Sequence, residues 1–246
     1  MRLALPGESG NLSFLALASA ELAVPPWAER AALAPWNPEH ISERHGLFTL
    51  IVIGESVLAA TTAVQSALDT GVARSVLITT AACSLIVVVA LWWLYFDQPV
   101  QAARVSKRRS YLWGYGHLPI FAAAAAVGAG LQAAIDTAAG TAHISTAAAG
   151  LGLAVPLAIY LLGVWGLHLT PGEASPAQLV ASPLTAALVL ASTLTPWPLP
   201  LIALLLAARV VVEIVAPQGE GRGVVVSHGA AAPTETVDVI STDERR

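Results

Sequence analysis

The stretch HGLFTLIVIGESVLAATTAVQSAL, residues 45–68, decides the fold of this chain. Among side chains charged at neutral pH it holds one, that of Glu55, in a run otherwise dominated by Leu, Ile, Val and Ala. The hydrocarbon core of a bilayer is crossed by about 20 apolar residues in helical form. A soluble helix of this length would need a polar face for water. The run reads as a transmembrane helix.

Working outward, the same pattern recurs at residues 75–96, 111–135, 147–169, 178–195 and 197–216. The last two are separated only by Thr195-Pro196-Trp197-Pro198, a tight link that predicts an antiparallel hairpin. A seventh apolar stretch, residues 12–24, is too short to span and stops at Pro25-Pro26. Composition agrees, because 56% of residues are hydrophobic and only 11% are charged. A soluble domain carries about 25% charged residues. The expected fold is an all-α, polytopic transmembrane bundle of about six spans. Residues 1–34 form an N-terminal segment with the partial helix, 35–216 the membrane domain, and 217–246 a tail. That tail is rich in Gly, Ala, Ser, Thr and mixed charge, and is expected to be disordered. The lone cysteine, Cys83, reads as a small hydrophobe. Nucleic acid is not an expected partner, since there is one short basic cluster and no basic domain.

That basic cluster orients the bundle. Arg104, Lys107, Arg108 and Arg109 lie in the 97–110 loop, which the positive-inside rule places in the cytoplasm. Alternation then puts Arg30, Arg44 and the C-terminus on the same side, with Arg74 outside. Trp92, Trp93, Tyr95, Tyr111, Trp113 and Tyr115 flank the loop as an interfacial aromatic belt. Ala124 with Gly128, and Ala126 with Gly130, are small residues four apart, a spacing that allows close helix packing.

Glu55 is the leading functional candidate. It stands about ten residues into its span, hence about 15 Å deep and near the bilayer midplane. A charge there costs about 3 kcal/mol or more, so ionisable residues at this depth usually face the bundle interior. Such a carboxyl is suited to carrying a proton, or to bonding across helices. His117, two turns into the 111–135 span and just before Pro119, can relay protons or bond a carbonyl freed by the proline. His40 and Glu43 share a helical face with Arg44 at the entrance to the first span. They read as a metal-ligand pair or as a capped, ion-paired entrance. Asp97 reads as a cap, and Arg209 with Glu213 as an ion pair. No phosphate-binding loop, nucleophile elbow or zinc-ligand set occurs, so neither cofactor nor metal is expected.

The run from His40 through Glu43, Arg44, Gly46 and Thr49 to Gly54-Glu55-Ser56 resembles the bacterial low-temperature-requirement A family. Trp92-Trp93-Leu94-Tyr95-Phe96-Asp97 and Tyr115-Gly116-His117-Leu118-Pro119 support the resemblance in the same order. Together the likeness covers about residues 35–215. It implies a multi-pass protein of the bacterial cytoplasmic membrane linked to growth at low temperature. The expected role, read from the membrane-embedded polar residues, is that of a proton-linked transporter-like or channel-like protein. The motif of two aromatics followed by Asp-Leu-Val-Phe that opens family members is absent. Gln132 stands where relatives often carry an acid. The chain therefore resembles the C-terminal portion of the family, and a homo-oligomer or a partner supplying the first half is expected besides the lipid bilayer. Two other functions stay open. One is an intramembrane metal-assisted hydrolase or lipid-modifying enzyme using His40, Glu43, Glu55 and His117. The other is a non-catalytic assembly subunit.

Overall fold

A computed structural model describes residues 8–28, 30, 38–68, 71–97, 107–168 and 176–215. The expected tail at 217–246 and most of the basic loop lie outside these residues. Among the described residues there are seven helices and no strand. They are α1 (Glu8–Ala28), α2 (Pro38–Leu68), α3 (Arg74–Phe96), α4 (Lys107–Ala138), α5 (Thr146–His168), α6 (Pro176–Ser192) and α7 (Pro198–Val215). Helix is the form that bonds every backbone group within its own segment, as lipid requires. Helices α2, α3, α4, α5 and α7 are long and apolar enough to cross a membrane, and α1 and α6 contain shorter apolar segments. Helices α6 and α7 form a hairpin through residues 193–197. The molecule is a helical membrane bundle.

Polar side chains inside the spans satisfy themselves locally. Thr61, Thr62, Thr80, Ser84, Thr137 and Thr185 each donate to the carbonyl four residues back, at 2.7–2.9 Å. Helix α4 ends in a glycine cap. Gly140 has φ +73°, its N–H bonds the Thr137 carbonyl, and the Thr141 N–H bonds Asp136. Helix α5 begins where the Ser145 hydroxyl accepts the Ala148 N–H at 3.1 Å.

Helices α2 and α4 run parallel, with α3 antiparallel to both. Their close approach is set by Gly128, where an added Cβ would lie 3.0 Å from Ser56 Oγ. Ser56 Oγ donates to the Ala124 carbonyl at 3.2 Å. Helix α5 packs antiparallel on α4, with Gly130 against Gly152. Pro156 removes the N–H that would serve the Gly152 carbonyl, and that oxygen would sit 2.7 Å from a Cβ at Gly130. Only a glycine admits this contact. Tyr160, fully buried on α5, ties it to α3 by donating to the Leu91 carbonyl at 2.8 Å.

Helix α1 departs from the expectation that the first apolar stretch stops at its prolines. It continues through Pro25 and Pro26 to Ala28. Pro26 has no N–H, so the Leu22 carbonyl loses its helical donor. The Tyr115 hydroxyl of α4 replaces it at 2.7 Å, and Tyr111 reaches the Pro25 carbonyl at 3.5 Å.

Candidate functional site

Two turns into α2 and nearly three into α4, the parallel alignment brings His45 and His117 together. Their ring centroids are 4.6 Å apart with the planes inclined at 58°. His45 Nδ1 lies 2.8 Å from the Ile41 carbonyl, and His117 Nδ1 lies 2.7 Å from the Trp113 carbonyl. A carbonyl can only accept, so each Nδ1 carries the proton. In the neutral rings this leaves each Nε2 with a lone pair. Both imidazoles are thus fixed in tautomer and orientation by their own helix.

Aromatic side chains enclose the pair. Trp113 lies edge-on to both rings, at 4.8 Å from His45 and 4.3 Å from His117. Phe121 lies 5.9 Å from His45 and 5.5 Å from His117, and Tyr95 of α3 is 5.9 Å from His117. His117 is fully buried, while His45 is half-buried. The Thr49 hydroxyl has a single proton and gives it to the His45 carbonyl at 2.9 Å. The Tyr95 phenol of α3 lies within hydrogen-bonding reach of the same hydroxyl. A chain of hydroxyls links α3 to the backbone that carries His45. Low polarity strengthens such bonds and holds the geometry.

The other residues singled out in the sequence do not join this cluster. Glu55 lies on the exposed side of α2, because its neighbour Ser56 and Ile53 take the packed face. Ten residues along the helix from His45, it is about 15 Å away in rise. Thr62 and Ser66 continue its exposed face toward the end of α2. His40 and Glu43 approach to 3.7 Å at the exposed start of α2, with side chains 75% and 69% accessible. Arg44 beside them is exposed. Asp97 ends α3, its N–H bonded to the Trp93 carbonyl at 2.9 Å. Arg209 of α7 forms a buried ion pair with Glu213 and reaches Ser182 Oγ of α6 at 3.4 Å. Among the described residues, no group of three or more His, Cys, Asp or Glu side chains is placed to hold a metal ion.

His45, Tyr95 and Trp113 were not singled out as site residues by the sequence. One signal for His45 was available: His45, Thr49 and Ser56 recur at helical spacing on one side of α2, a polar stripe that packs on α4.

Comparison with known proteins fits this architecture. The chain is 33% identical over 90 residues to an uncharacterised protein of Rhizobium meliloti (strain 1021). That match covers 33% of this chain and about a fifth (21%) of the relative's own length. No solved structure matches. The family of bacterial low temperature requirement A proteins (LtrA) matches residues 1–215, from α1 to the end of α7. With a match over that length of the helical bundle, the chain belongs to the bacterial low temperature requirement A family.

Proposed function

We propose that the protein is a transporter-like or channel-like membrane protein in which His45 and His117 pass protons. The carrying observation is the contact of two imidazoles with both Nδ1 atoms committed to backbone carbonyls. A proton taken at either Nε2 is held beside a second base of the same chemistry, which puts donor and acceptor of a transfer side by side. The aromatic walls keep bulk water from short-circuiting the exchange. The basic cluster Arg104 to Arg109 supports a cytoplasmic position for this end of the bundle, next to the start of α4.

The test uses His117→Asn, whose amide keeps a donor toward the Trp113 carbonyl but cannot titrate. In proteoliposomes with an internal pH dye, the variant is expected to fold like the parent and lose pH-dependent proton flux by tenfold or more. Unchanged flux at unchanged stability would remove the proton role.

A second reading is favoured by Glu55. A carboxyl on the outer face of a span, in line with Thr62 and Ser66, is poorly solvated by lipid. We propose that this face of α2 packs on another membrane helix, in a homo-oligomer or a larger assembly. The hydrolase alternative gains no such support, since the His40–Glu43 pair, Glu55 and His117 occupy three separate places.

A further inference from the structure

At the end of the bundle opposite the histidine pair lies a cavity of about 430 Å³. It is framed by the first turns of α3 and α5, the last turns of α4, and the turn leading into α7. Thr79 and Thr80 of α3, Thr137 of α4 and Thr146 of α5 line it, with Trp197 at its rim. Its volume falls in the range of about 300–1,000 Å³ in which small-molecule sites occur. It is open at its edge, where Thr79 is exposed and Trp197 is 70% accessible. A tryptophan at the end of a span is at home among lipid headgroups.

Two features of the lining choose the ligand. None of the described lining residues carries an ionisable group. A charged ligand would lose its hydration without a counter-charge, at a cost of about several kcal/mol. The hydroxyls of Thr80 and Thr137 have already given their protons to the Val76 and Ala133 carbonyls, at 2.8 and 2.7 Å. What they still offer is oxygen lone pairs. The molecule complementary to these two oxygens is uncharged, has an apolar body and donates hydrogen bonds from its own hydroxyls.

We propose that this cavity is a binding site for a neutral, glycerol-type hydroxyl head, either on a membrane lipid or free in the aqueous phase. The site is independent of the histidine reading. The probe is brominated dioleoylglycerol at low mole fraction in phosphatidylcholine vesicles holding the full chain. Quenching of Trp197 is read as the difference between the parent and Trp197→Phe. Saturable quenching at least fivefold above that by brominated phosphatidylcholine is expected. Thr137→Val and Thr80→Val, tested separately, should each weaken it about five- to tenfold, the loss of one hydrogen bond. Thr79→Phe should fill the space and abolish it. Relief of quenching by glycerol added to the aqueous phase would make the water-soluble form a competing source. Equal, non-saturating quenching by both brominated lipids would overturn the site. Saturable quenching insensitive to either valine variant, with each folded by circular dichroism, would overturn the hydroxyl recognition.

Discussion

Neighbouring residues on α2 have opposite fates: Ser56 is 3% accessible and bonded to the Ala124 carbonyl, while Glu55 is exposed. Depth is legible in a sequence, because rise per residue is fixed. Azimuth is not, because it depends on which face the neighbouring helix takes, here the one met by Gly128. Glu55 therefore stood out for its depth, while His45 gained its setting only when α4 supplied His117, Trp113 and Phe121. On the other side of the molecule, the Arg209–Glu213 pair invites a direct measurement. Arg209→Met leaves Glu213 buried beside apolar neighbours, and is expected to destabilise the protein by about 3–5 kcal/mol. The double variant with Glu213→Leu should recover most of that loss. Thermal unfolding in detergent checks both, and additive losses would mean that the two residues act separately.

Element boundaries were largely readable from apolar runs, and the six long stretches correspond to α2 through α7 within about four residues, except that α2 begins two turns earlier, at Pro38. Helix α1 was not, because a double proline reads locally as a stop and its relief comes from Tyr111 and Tyr115, far away in sequence. Tyr115→Phe is expected to cost about 1 kcal/mol. It should speed hydrogen exchange of amides near Leu22 roughly fivefold. In a Pro26→Ala background the restored N–H serves the Leu22 carbonyl, so the same substitution should then do little. Packing between α4 and α5 gives a second expectation. A methyl at Gly130 would meet the backbone of Gly152 and Leu153 at 2.7–2.8 Å, whereas one at Gly54 would meet nothing within 4 Å. Gly130→Ala should lose about 1–3 kcal/mol of stability, and Gly54→Ala should be neutral or slightly stabilising. Equal melting temperatures for the two variants would show that the α4–α5 contact is slack.

For the whole molecule, alternation of spans makes orientation a single choice. With the histidine end in the cytoplasm, Ser106→Cys in a Cys83→Ala background should resist an impermeant thiol reagent on intact cells. Strong labelling there would invert the topology. Burial also varies among the five long spans: half of the apolar stretch of α5 is buried but only 28% of that of α2. The least covered of these five is the one that carries Glu55, and its exposed face is where Glu55→Leu should weaken self-association or partner capture in detergent while leaving the melting temperature unchanged. The buried pair on α7 has a further, electrical consequence. A membrane potential does about 2.3 kcal/mol of work per 100 mV on one charge carried across the bilayer. Arg209 and Glu213 are opposite charges one turn apart on the same helix, so displacing α7 moves almost no net charge. A voltage step should draw no gating current from this helix, and Glu213→Gln, which leaves the permanent charge of Arg209 alone, would give it one.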